Sequence, residues 1–349
     1  MKVQSVTGPL SREELGVTSP HEHVFIDISA FYTPREIKDF DNSEGVKVAI
    51  ENLGVLNRDP YALKDNLTMM DFEVQQKELA YFKKAGGQTI VDATTKGIGR
   101  DPKALKKISE NTGVNIIAGA GYYVYSTHPE ELSKMTLEEI ADTIVKEVEV
   151  GLDGTDIKAG IIGEIGISEV FNDNERRVLR AAGIAQKKTG VAINVHINPW
   201  TENGTEAADI LLSEGVAPEK ICISHIDVEG KIDYIHGLLE KGVYVEFDNF
   251  GKEYYVDKDA RNSGYGLFIS DVERIRLLKR LIEEGWRDQI LLSCDVCLKT
   301  LLRSYGGWGY DHLLRNLVPV MLEEGIKQED IDAMLINNAA DFLCGKAGC

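Results

Sequence analysis

Eight short apolar runs, each followed by a longer stretch of helical period, constrain this chain more than any other feature. The runs are "GVTSPHEHVFID" (16–27), "QTIVDATT" (88–95), "NIIAGAGYY" (115–123), "AGIIGEIGI" (159–167), "VAINVHIN" (191–198), "KICISHID" (220–227), "VYVEFDNF" (243–250) and "QILLSCDV" (289–296). Their length and β-branched content suit strands buried on both faces. Between them, "DFEVQQKELAYFKKAG", "TLEEIADTIVKEVEVGL", "DNERRVLRAAGIAQKKTG" and "DVERIRLLKRLIEEG" place apolar residues at helical spacing, with Thr136 as an N-cap and glycines as stops. Strands alternating with helices pair in parallel through right-handed crossovers, and eight of them close a barrel. The pattern predicts an α/β fold, a single (β/α)8 TIM barrel with residues 1–349 as one domain. Two stretches exceed a minimal barrel: 28–70 after strand one and 251–270 after strand seven. Long loops at strand C-termini serve as lids or substrate walls.

Composition narrows the partners. A formal net charge of -18 argues against nucleic acid or an anionic membrane surface. No run approaches a membrane span, and "MKVQSVTGPLSREEL" lacks the apolar core of a signal peptide. Five scattered cysteines, including Cys294 and Cys297 in "CDVC", point to a reduced cytoplasm rather than a disulfide framework.

Chemistry concentrates at the strand ends. His21 and His23 in "PHEHV", His196 in "NVHIN" and His225 in "SHID" sit within or just past strand runs, as do Glu164 in "GIIGEIG" and Asp295 in "SCDV". Strand C-termini of a parallel barrel share one mouth, so these six residues converge. His-x-His on a strand turns both imidazoles to one side. Glu164, the lone charge in a Gly and Ile strand, needs a partner if it is buried. Six imidazole and carboxylate ligands without thiolate suit two divalent ions per chain, Zn first, with Mn, Fe, Co or Ni as alternatives. His128, in a loop on the same face, is a candidate substrate contact, whereas His236 and His312 read as structural.

The same residues resemble the phosphotriesterase-like branch of the amidohydrolase superfamily. "PHEH", the strand-four carboxyl position, "VHIN", "SHID" and "SCD" carry the likeness, which spans essentially the whole chain. "DATTKGIGRD", "DGTDIKAGIIGEIG" and "KTLLRSYGGWGYDH" bring it nearest to phosphotriesterase-related proteins, the subgroup that includes animal homologues. The resemblance implies one metal on His21, His23 and Asp295, a second on His196 and His225, and Glu164 as the bridge where many members carry a carboxylated lysine. Lys158 stands at the wrong end of the strand for that role. The resemblance also implies hydrolysis by a hydroxide held between the ions, with Asp295 accepting the proton.

For the substrate, the resemblance implies a small lactone or carboxylic ester, sugar-lactone-like and anionic. The alternative is a small N-acyl amide with an anionic head group, with phosphotriesters at most a side reaction. The arginine pair that phospho-lactonases carry after the strand-eight aspartate is absent, since Leu298 and Lys299 stand there. Lys252, Lys299 and Arg303 remain candidates for an anion, and Tyr122 and Tyr123 for orienting the substrate. Related barrels are often homodimers.

Overall fold

Each of the eight runs forms a strand of one parallel sheet. In the computed structural model, which describes residues 2–256 and 266–346, the barrel strands are β1 (Thr18–Glu22), β2 (Thr89–Asp92), β3 (Asn115–Ala120), β4 (Ile161–Ile167), β5 (Ile193–Ile197), β6 (Ile221–Ile223), β7 (Tyr244–Phe247) and β8 (Ile290–Leu292). They lie side by side in chain order. The helical segments fill the intervals: α1 (Phe72–Lys84), α2 (Pro102–Thr112), α3 (Leu137–Glu149), α4 (Asp173–Thr189), α5 (Gly204–Ser213), α6 (Ile232–Glu240) and α7 (Asp271–Glu283). Local chemistry explains their limits. Asp71 accepts from the amides of Glu73 and Val74 at the start of α1. Thr136 and Glu139 form a reciprocal cap on α3, and Gly190 in the left-handed region ends α4.

The seam between β8 and β1 is closed by a side chain. Both oxygens of Glu22 accept backbone amides just beyond β8, Oε1 from Cys294 at 3.0 Å and Oε2 from Val296 at 2.8 Å. One backbone bond, Asp295 N–H to His21 O at 3.3 Å, joins them. Glu22 points away from its neighbours His21 and His23, as alternation requires. Buried among Ser19 and these two amides, it becomes part of the barrel's framework.

The apolar core of the described residues has two main regions, with a small third cluster of Val48, Leu56 and Leu63 inside the 28–70 loop. The larger lies between sheet and helices. The smaller fills the barrel floor with Val91, Ile117, Ile161, Cys222, Tyr244 and Leu291, plugged by Val3, Leu15 and Phe342. The plug comes from an N-terminal hairpin, Lys2–Ser5 with Gly8–Ser11, the turn of helix Arg12–Leu15 that follows it, and the C-terminal helix Ala339–Cys344. None of these is evident from the strand pattern.

β4 departs from simple alternation. The register to β5 shifts between Ile162 and Ile165, with Gly163 at φ 124 in the middle. This bulge lets Ile161 fill the barrel floor and Glu164, three residues on, still reach the mouth. A Cβ on Gly163 would come within 2.3 Å of the Asn194 carbonyl oxygen, and one on Gly166 within 2.2 Å of the Val124 amide. Both glycines therefore answer close backbone approach.

The two long loops border the mouth. Residues 28–70 contribute Phe31, Asp59, Pro60 and Tyr61 to its wall, and 251–270 contribute Lys252, Tyr254, Val256 and Phe268. Residues 257–265 of the second loop lie outside the described residues, as does Cys349. No described helix is long and apolar enough to cross a membrane.

Candidate metal centre

Glu164 lies at the centre of the mouth, with its two oxygens divided between different histidines. Oε1 faces His23 Nε2 at 3.2 Å. Oε2 faces His196 Nδ1 at 3.2 Å, His21 Nε2 at 3.4 Å and His225 Nε2 at 3.8 Å. Asp295 Oδ1 closes the group, 3.2 Å from His23 Nε2 and 3.8 Å from His21 Nε2. All six residues predicted from the strand ends thus meet in one cluster. All are buried except His196, which is partly exposed.

The outward ring nitrogens of three histidines are already engaged. His21 Nδ1 meets Ser224 Oγ at 3.2 Å and Glu246 Oε2 at 3.3 Å. His23 Nδ1 meets Thr94 Oγ1 at 2.8 Å, and His225 Nδ1 meets Asp248 Oδ1 at 3.0 Å. An imidazole that donates through Nδ1 turns the lone pair of Nε2 to the other side. Here that side is the Glu164 carboxylate. His21 Nε2 and Glu164 Oε2 are both buried and lack a hydrogen-bond partner. Lone pairs facing lone pairs at these distances need positive charge between them, supplied by protons on the imidazoles or by a bound cation.

The residues therefore fit divalent ions, and the donor set is the nitrogen and oxygen kind that zinc and its neighbours take. Among the described residues, three sets of donor atoms are close enough to share an ion: His21, His23 and Asp295; His21, Glu164 and His225; and His21, Glu246 and Asp248. The first matches the expected first-metal set. The third lies beneath the mouth and shows how densely carboxylates surround His21.

Protonation follows the same field. Burial opposes charge on His23, but Asp295 and Glu164 outweigh it and raise its pKa to about 9. Burial likewise opposes charge on His225, and Asp248 with Glu164 raises it to about 10. Burial holds His196 below the usual value. Against its own burial, Glu164 is held well below the carboxylate range by four imidazoles. Asp295 is held low by Lys252 and the histidines.

The cavity above the cluster measures about 280 Å³. Tyr123 belongs to its wall, with its hydroxyl 3.2 Å from His196 Nδ1, and burial with Glu164 nearby keeps the phenol neutral. Lys252 also lines it, its buried ammonium paired with Asp295 Oδ2. The other four expected contacts lie elsewhere. Tyr122, next to Tyr123 and so turned to the opposite side, packs against His128. His128 Nε2 meets the Tyr123 carbonyl at 2.7 Å and supports that loop from behind. Lys299 pairs with Asp65 at 2.7 Å and Arg303 with Asp311 at 3.0 Å, so loop acids neutralise both cations away from the cavity. His312 and His236 are bound to Asp271 and Glu284, in keeping with structural roles.

Sequence reading missed the outer carboxylates. Glu246 and Asp248 stand two apart in "VYVEFDNF", the same spacing that flagged His21 and His23. Period-two logic applied to acids would have found them. Cys297 lines the cavity, whereas Cys294 is buried, and both are free thiols.

The N-acetyltaurine hydrolase of Danio rerio is 40% identical to this chain, covering 99% of it and 98% of that relative. A resiniferatoxin-binding protein from Rhodobacter sphaeroides superposes with a TM-score of 0.94 at 32% identity, covering 100% of this chain and 96% of that one. A lactonase from Listeria monocytogenes does so with a TM-score of 0.79 at 25% identity, covering 99% of this chain and 100% of that one. The phosphotriesterase family matches residues 1–343, with the strand-end residues inside the match, and the chain belongs to that family.

Proposed function

We propose that the chain, acting as one catalytic domain, hydrolyses a small N-acyl amide with an anionic head group. Two divalent ions are held by His21, His23, Glu164, His196, His225 and Asp295, with zinc the first candidate and manganese, cobalt, nickel or iron the alternatives. The observation that carries this reading is the division of the Glu164 oxygens, one toward His23 and one toward the other three histidines. The relative at 40% identity supports the amide over the lactone, because it is an N-acetyltaurine hydrolase. The lactonase likeness keeps a lactone or ester carbonyl as the second reading.

When bound, such ions acidify water and polarise a carbonyl. The chain's own groups do the rest. Glu164 and the imidazoles fix the donor geometry, and Glu246, Asp248 and Thr94 lock ring orientation from behind. Lys252 keeps Asp295 ionised at neutral pH. A carboxylate so held accepts a proton from the attacking water only briefly and passes it to the leaving nitrogen. Tyr123, a neutral donor, orients the substrate over His196.

The test is turnover. Protein loaded with Zn, Mn or Co is offered N-acetyltaurine, N-acetyl amino acids and a panel of lactones. Preferential release of acetate from the amides supports the first reading, and preferential lactone opening supports the second. No turnover of either overturns both.

A further inference from the structure

The segment after β7 is extended and alternates in burial. Lys252, Tyr254 and Val256 point inward, while Glu253 and Tyr255 point outward. All three inward residues line the cavity. The Lys252 ammonium is taken by Asp295. Tyr254 is different. It is only 9% exposed, and its hydroxyl has no hydrogen-bond partner among the described residues. Its ring meets Phe268 edge to face at 5.3 Å, and Phe268 meets Trp200 in the same way at 5.7 Å. A packed ring of this kind holds its hydroxyl in a fixed direction. Burial raises the phenol's pKa, and the nearby Cys297 and Asp295 add to this against Lys252, so it stays a donor.

A buried donor without an acceptor is costly, and a ligand that supplies the acceptor is selected for that reason. Among the described residues lining the cavity, Lys252 is the one lysine or arginine, and it stands two positions from Tyr254 on the same side of the segment. We propose that the Tyr254 hydroxyl receives an oxygen of the substrate's sulfonate or carboxylate head group, beside the Lys252 ammonium, and sets the preference for anionic over neutral amides. The proposal rests on the hydrolase reading above and adds the residue that recognises the non-reacting end.

The experiment compares wild type with Tyr254→Phe, which keeps the ring and its packing. KM and kcat are measured for N-acetyltaurine, N-acetyl-β-alanine and the neutral N-propylacetamide, and N-acetyltaurine binding is measured by calorimetry. The expected result is a roughly tenfold rise in KM and Kd for the anionic amides, as befits one lost bond to a charged group. The kcat and the neutral amide are unchanged. Equal effects on anionic and neutral amides, a fall in kcat at constant KM, unchanged binding, or no binding by wild type each overturn the proposal. Tenfold weaker binding by the variant without turnover by either protein upholds it, while overturning the hydrolase reading alone.

Discussion

Lys252 holds one oxygen of Asp295, and His23 faces the other at 3.2 Å. One carboxylate is thus shared between a fixed cation and the centre of the mouth. Lys252→Met removes the cation but leaves all six candidate ligands. Turnover is expected to fall about a hundredfold, the scale of acid–base assistance, with metal content unchanged. Kinetics with elemental analysis of the same preparation checks this. Loss of metal in step with rate would assign Lys252 to assembly of the site.

Glu164→Gln is expected to lose metal and activity together. The amide presents one weak acceptor and one donor to a cluster built around two anionic oxygens, and the imidazoles then lose their shared counter-charge. Metal stoichiometry should drop below about one ion per chain, since ligand charge is part of affinity. A variant that kept two ions and full rate would remove Glu164 from the centre.

Glu22→Gln tests the seam. Both carboxylate oxygens accept backbone amides, so an amide side chain sets a donor against a donor on one side. A loss of about 1–3 kcal/mol is expected, read as a lower urea midpoint with unchanged slope. Stability equal to wild type would mean that the strands close without this carboxylate.

Asp271 provides a pH test away from the candidate metal ligands. Burial opposes its charge, but His312 and Arg274 hold its pKa below the ordinary 3.8. A depressed folded pKa means that the native state binds fewer protons, so this stability is present above 3.8 and is lost as pH falls toward the folded value. Asp271→Asn should therefore be destabilised by about 3 kcal/mol at pH 7, because Arg274 and His312 lose a buried partner. The gap should begin to narrow as pH falls below 3.8, where the unfolded chain takes up the proton, and close below the depressed folded value, where native wild type is neutral at this position too. Denaturant titrations at pH 7 and pH 3.5 measure both, and a gap independent of pH would assign the effect to packing.

The strands were legible because parallel barrel strands are apolar on both faces, and "AGIIGEIGI" or "VAINVHIN" admits little else. The convergence of the six strand-end residues was legible because topology alone brings strand termini together. What depends on loop placement was not. Lys299 and Arg303 sit in a segment rich in cations, but their partners Asp65 and Asp311 are chosen by the path of the chain around the mouth. Tyr122 and Tyr123 cannot both face inward, and period two excludes one without saying which. The hairpin that plugs the floor escaped because "KVQS" and "GPLS" are short and largely polar.

The seam has a consequence for how the molecule comes to life. Glu22 and Val296 are separated by 274 positions, and the bond between them ties nearly the first strand to nearly the last. His21 and His23 stand on one side of that junction and Asp295 on the other. Closing a contact this distant in sequence costs more chain entropy than any local pairing. A chain truncated before β8 therefore lacks Asp295, one of the three residues of the His21, His23 and Asp295 group. The candidate centre is thus split across the seam, so an opening of the seam would separate Asp295 from both histidines.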